Sequence, residues 1–235
     1  MTTTQLHATS FTEAWQQFST QHTTADESAF TIYQGMRDRK SSFVAFLIPI
    51  VSTSIVEATR PVREALTTAG ILDVLPSHYF HITVLPVILA NDLPAGSIAR
   101  MMDRTSRALR GLPSLRLTLK GINSFPTSAF VEVHDERGGL IEVRNALRSA
   151  MTRTGIPGFG AAAPENPDEL PFLPHMSICY YRAHYPTAEV GTALEPFRDM
   201  EIGTVRVDSI SLAAIPYSDY DRFPEITRIG DLLLG

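Results

Sequence analysis

The sequence predicts an α/β protein of the α+β type: two pseudo-symmetric lobes, each an antiparallel-rich sheet with helices, around a central cleft. Three observations predict it. Apolar residues make up 44% of the 235 positions and charged residues 19%, the balance of a globular chain able to bury a sizeable core. Strand-like and helix-like runs follow one another in an order that repeats: strand, helix, strand, helix, strand pair, then helix, strand, helix, strand. One short pattern also occurs twice, as His81-Ile82-Thr83-Val84-Leu85 and as His175-Met176-Ser177-Ile178-Cys179.

Residues 1–41 read as an N-terminal extension, partly helical or flexible. Phe11, Trp15 and Phe18 fall at helical spacing within a Thr/Gln/Ser-rich stretch, so a short amphipathic helix and a frayed arm both fit. The near-continuous apolar run from Ser42 to Val51 predicts a strand covered on both faces. Ile55 to Ala69 predicts a helix that ends at Gly70, with Pro61 marking either a kink or a later helix start. Tyr79 to Leu85 predicts the first histidine strand, stopped by Pro86, and Gly96 to Leu109 the next helix.

Leu115 to Lys120 alternates as a half-buried strand does, with Ala129 to Val133 as its hairpin partner across a turn at Asn123 to Ser128. Gly139 to Arg153 carries Leu140, Val143, Leu147 and Met151 on one helical face. Gly155 to Pro174 is a long Gly/Pro/Ala-rich loop of the kind that forms lids. His175 to Tyr181 predicts the second histidine strand, Thr187 to Asp199 a helix, and Thr204 to Ile215 a final strand or strand pair. The main domain is therefore expected to span residues 42–216, with 217–235 as an extension packed on it.

Charge and cysteine content exclude several classes. The formal net charge of -5 argues against a generally basic nucleic-acid surface, though not against a locally basic cleft. The basic set is almost all arginine, Lys40 and Lys120 being the two lysines. A single cysteine, Cys179, rules out an internal disulfide framework and a cysteine zinc site, and it reads as a buried, inert thiol. The sequence has no apolar run of membrane-spanning length and no signal-peptide pattern in its first twenty residues. A cytoplasmic monomer without membrane contact is the expectation.

The chemistry rests on the twin pattern. In an extended strand alternate side chains share a face, so His81 lies beside Thr83 and His175 beside Ser177, with apolar residues opposite. A lone histidine of either kind would read as a satisfied core residue. The recurrence of an imidazole with a hydroxyl, in the same phase on two separate strands, points instead to a cleft. His78, His134 and His184 read as exposed loop or turn residues, His134 in a solvated cluster with Asp135 and Glu136. His7 and His22 fall in the N-terminal extension.

Two His-apolar-Thr/Ser-apolar motifs 94 residues apart resemble the signature of the two-histidine (2H) phosphoesterase superfamily, which includes RNA 2′,3′-cyclic phosphodiesterases long called 2′-5′ RNA ligases. The resemblance covers roughly residues 42 to 216. It implies His81 and His175 as an acid/base pair and Thr83 and Ser177 as phosphate ligands, with no cofactor and no metal. It also implies a metal-independent phosphodiesterase acting on a 2′,3′-cyclic phosphate at an RNA end or on a small nucleotide. The alternatives are a 2′-5′ oligonucleotide phosphodiesterase or ligase, and a non-catalytic RNA- or nucleotide-binding module on the same fold. Phe125 falls where the family places a wall for the base. Tyr181, in phase with His175 and Ser177, and Tyr217 are further substrate-binding candidates, and Arg182 a weaker one for phosphate.

The physical logic of the pair is direct. Opening a cyclic phosphodiester with water needs one group to take a proton from the nucleophile and another to give one to the leaving oxygen. Histidine, with an ordinary pKa of about 6.5, serves in either role near neutrality. A metal hydrolase is the competing class, and neither motif has the close His/His or His/Glu spacing of a ligand pair.

Overall fold

The computed structural model describes residues 8–25, 36, 38–154, 156, 172–216, 223 and 225–235. In chain order its elements are α1 (Phe11–Ser19), β1 (Phe43–Pro49), α2 (Thr53–Ala58), α3 (Arg60–Thr68), β2 (His81–Leu89), α4 (Ser97–Leu109), β3 (Leu115–Phe125) and β4 (Ser128–His134). They continue with α5 (Gly139–Thr152), β5 (His175–Tyr180), α6 (Thr187–Leu194), β6 (Glu201–Val207), β7 (Ser209–Ile215) and β8 (Thr227–Leu233).

The strands form one eight-stranded sheet in the order β6-β3-β4-β5-β2-β1-β7-β8, antiparallel at every pairing. The order is symmetric about the β5/β2 seam. One half is β2-β1-β7-β8 and the other β5-β4-β3-β6, so the expected lobes are two halves of one sheet. Helices follow the same symmetry: α4 packs on α5, and α3 on α6.

Asp208 alone separates β6 from β7, yet five strands lie between them in the sheet. Six inter-strand spacings amount to about 29 Å in a flat sheet, whereas one residue spans about 3.5 Å. The sheet must therefore curl enough to bring the end of β6 to the start of β7. Asp208 fastens that junction, accepting hydrogen bonds from Ser114 Oγ at 2.6 Å and Arg206 Nε at 2.8 Å.

Local sequence explains most boundaries. β1 is apolar throughout, and Val44 to Ile48 are buried on both faces. The helix expected over 55–69 is two helices divided at Thr59. Pro61 lies in the first turn of α3, where a missing N–H costs nothing. Buried Ser97, Met101, Thr105 and Leu109 mark the inward stripe of α4. The helix expected over 187–199 ends at Leu194, and a single 3₁₀ turn containing Pro196 follows.

Three expectations are corrected. β2 does not stop before Pro86 but runs through it to Leu89. Beyond the seam β2 pairs with β1 on one side, so a residue without an N–H can stand there. Asn123 to Phe125 are strand, not turn: β3 continues to Phe125 and reverses over Pro126 and Thr127. Gly121, at φ +77, makes the kink that this continuation needs, and a side chain there would meet the Arg198 carbonyl and the Glu132 carboxylate at 3.0 Å. The C-terminal segment is no mere extension laid on the domain, because β8 is an edge strand paired with β7 from Ser209 to Ala214.

Candidate active site

The two halves join where Ile82 on β2 pairs with Met176 on β5. That antiparallel register sets His81 opposite Ser177 and Thr83 opposite His175. Cross-strand neighbours share a face, so all four side chains lie on one side of the seam. The two histidines are diagonal partners, about 7–8 Å apart by Cα in such a pair. Ile82 and Met176 point to the other face, into the core that holds Val143 and Leu147 of α5. The sequence motifs are thus brought together by the single pairing that links the halves.

Each histidine is held in the same way. His81 Nδ1 lies 2.7 Å from the Tyr79 carbonyl, and His175 Nδ1 lies 2.8 Å from the Leu173 carbonyl, two residues earlier in both cases. A carbonyl can only accept, so each Nδ1 carries the proton and each neutral ring keeps its lone pair on Nε2. Two like-oriented imidazoles therefore offer Nε2 as a proton acceptor. Once protonated, each can return that proton.

Burial dominates their titration. It pushes His81 down to about 4, helped by the nearby His175 and opposed by the Tyr79 carbonyl. Burial also lowers His175, opposed by the Leu173 carbonyl. Both rings are neutral at pH 7 in the free protein. His175's influence on His81 places the two imidazoles within electrostatic reach of each other.

Aromatic rings fix both histidines. Tyr79 meets His81 edge-on at 5.8 Å between centroids. Phe125 meets His175 edge-on at 5.1 Å, and Phe130, stacked on Phe125 at 4.3 Å, also approaches His175 at 5.1 Å. Phe125 therefore stands beside the histidine pair. Phe130 and Tyr79 were not singled out by sequence. The pairing of Phe130 with Ser177 would have found the first, but no local pattern announces a strand register.

Tyr181 does not reach this face. Between Ser177 and Cys179 the register of β5 against β4 slips, leaving Ile178 as the extra residue of a bulge. The slip reverses the alternation, so Cys179 and Tyr181 turn to the opposite face. Tyr181 is fully buried there, its hydroxyl 2.8 Å from Ser124 Oγ, and burial pushes its pKa well up. The same burial raises the Cys179 thiol well above its ordinary value, in keeping with an inert thiol. Arg182 stacks over the Phe223 ring at 4.1 Å, and its backbone N–H donates to Asp73. Tyr217 and most of the loop 155–174 lie outside the described residues.

His78, His134 and His184 have other partners. His78 Nε2 is 3.0 Å from the Phe223 carbonyl, and His184 Nδ1 donates to the Thr24 carbonyl. His134 is not a solvated turn residue: it is half-buried against the Phe11 ring and lies 3.3 Å from Glu132. Among the described residues no three His, Cys, Asp or Glu side chains gather as a metal site requires.

Comparisons with known proteins bear on the family and the fold. Residues 38–215 match the 2'-5' RNA ligase superfamily. Among solved structures, TT0787 of Thermus thermophilus aligns at a TM-score of 0.59 and 15% identity, covering 82% of this chain and 97% of that one. The apo form of E. coli LigT aligns at 0.57 and 18%, covering 83% and 98%. At these identities the likeness is one of fold. No curated protein sequence matches the chain.

Proposed function

The chain belongs to the 2'-5' RNA ligase superfamily, and from that premise we propose that it is a metal-independent phosphodiesterase that hydrolyses a 2′,3′-cyclic phosphate at an RNA end or on a nucleotide. One observation carries the reading: two histidines, anchored alike through Nδ1, face the same space across the Ile82–Met176 pair with a hydroxyl beside each. Small ligands suit such a seam, and solved structures of E. coli LigT hold ATP, 3'-AMP and phosphate.

In the proposed reaction the Nε2 of one neutral imidazole takes a proton from water as the water oxygen bonds to phosphorus. The other imidazole, protonated beside the bound phosphate anion, gives its proton to the leaving ribose oxygen as that P–O bond breaks. One proton is taken and one returned, so the pair ends in the exchanged state. Thr83 and Ser177 donate to the non-bridging oxygens as negative charge gathers on them. Loss of the 3′ oxygen leaves a 2′-phosphate.

A panel of 2′,3′-cyclic, 3′,5′-cyclic and 2′-5′-linked substrates in excess EDTA tests this. Turnover is expected on the 2′,3′-cyclic phosphates and to be unaffected by the chelator. Loss of activity in EDTA, or turnover confined to 2′-5′ linkages, would replace the reading with a metal hydrolase or a 2′-5′-specific enzyme.

A further inference from the structure

Helix α1 lies outside the segment matched by the family, yet it sits on the same face of the sheet as the histidines. Strand register establishes this. Phe130 is opposite Ser177 and Glu132 opposite His175, and Asn123 on β3 is opposite Phe130, so all three share the histidine face. Asn123 Nδ2 donates to the Phe11 carbonyl at 2.8 Å and to Glu132 Oε1 at 2.7 Å. The Phe11 ring packs on Phe130 at 6.2 Å, and the Arg198 guanidinium stacks over Trp15 at 4.1 Å.

The helix is fixed rather than draped. Phe18 is buried in the main core, and Ser10 Oγ caps the helix by accepting from the Glu13 N–H. The strand-like stretch that follows is tied down at Thr24, whose N–H donates to the Tyr185 carbonyl and whose Oγ1 accepts from the Tyr185 N–H. Phe130 and Asn123 are consequently 0% exposed. An uncovered Phe130 beside the histidines would offer bases a stacking platform of the kind single strands use. Here Phe125 stacks on Phe130 at 4.3 Å, and the tilted Phe11 ring closes it from the α1 side at 6.2 Å.

We propose that α1 is a built-in specificity wall, which closes the second half of the histidine face to a nucleic-acid strand and confines recognition to the terminal nucleotide or two. The proposal rests on the reading of the site as one for nucleotide phosphates. It makes affinity independent of chain length, because a longer strand finds no further platform on β3 and β4.

The test is equilibrium binding of 3′-phosphorylated oligoribonucleotides of increasing length, which need no turnover. The full-length protein is expected to hold a dinucleotide and an octanucleotide within about threefold of each other. Trp15→Pro, which breaks α1 from within, is expected to favour the octanucleotide by about tenfold or more, as one newly stacked base would. Hydrogen exchange over residues 11–19 reports whether the helix has opened. Affinity of the unaltered protein that climbs about tenfold or more with length would overturn the wall, without recourse to any variant. So would an unchanged length profile in the variant once α1 has opened. A flat profile with no hydrolysis of cyclic phosphates leaves the wall and removes the proposed reaction; absence of binding at every length removes both.

Discussion

At the residue scale, the four motif side chains were legible because alternation along a strand is local. His81 with Thr83, and His175 with Ser177, need only a parity to be placed on one face. The same parity misplaced Tyr181, since a bulge at Ile178 is set by the partner strand and leaves no mark in the sequence. The titration of the pair gives a measurable consequence. The base must be neutral, so kcat/KM falls as pH drops through the lower of the two imidazole values. The acid must be protonated, so kcat/KM falls as pH rises through the upper one; burial holds both below the ordinary 6.5, His81 at about 4. Its optimum therefore lies on the acid side of neutrality. The basic limb of kcat is expected at higher pH, because bound phosphate favours the imidazolium. Rate profiles in both parameters check this, and coincident limbs would contradict it.

Burial of His81 also ties stability to pH. Between pH 6.5 and about 4 the unfolded chain takes a proton that folded His81 refuses. Stability therefore rises with pH across that window, by on the order of 3 kcal/mol from this residue. Urea unfolding at pH 7 and pH 4.5 measures it, and His81→Gln should reduce the difference by His81's share, leaving the part that buried His175 contributes in the same window. Of the hydroxyls, Thr83→Ala and Ser177→Ala are each expected to lower kcat about 10²–10³-fold, the range for a lost transition-state donor. Unchanged steady-state rates in either variant would remove that hydroxyl from the chemistry.

At the scale of elements, strong periodic segments were readable and edges were not. β1, α4 and α5 appear where their apolar patterns put them, as does α1 over Phe11, Trp15 and Phe18. β8 was missed for a physical reason: on an edge strand Leu232 is the one residue of Thr227–Leu233 that is buried, and Gly230 and Asp231 are poor strand formers. An added Cβ at Gly230 would lie 2.7 Å from Met102 Cε of α4, the far end of a flexible side chain that can shift aside. Leu232→Ala should cost about 2–5 kcal/mol in denaturant unfolding if β8 is part of the core. A cost near zero would show that Leu232 is not part of the core and return residues 227–233 to an extension packed on the domain.

At the scale of the molecule, the repeat of strand, helix and histidine strand foretold two related halves. It could not foretell that they share one sheet, because that depends on the Ile82–Met176 pair and on a chain reversal through Asp208, both non-local. The consequence is functional. Each half contributes one histidine and one hydroxyl, and neither half alone holds both members of the proposed acid/base pair. Catalysis should therefore behave as one unit across the seam.

The most direct test compares kcat/KM for a 2′,3′-cyclic nucleotide among His81→Ala, His175→Ala and the double variant, each shown to be folded. Either single change is expected to lower it about 10²–10⁴-fold, the usual worth of a positioned acid or base. The double variant should be little worse than the weaker single, since two halves of one proton relay fail together. A folded single variant that kept near-normal kcat/KM would contradict the account.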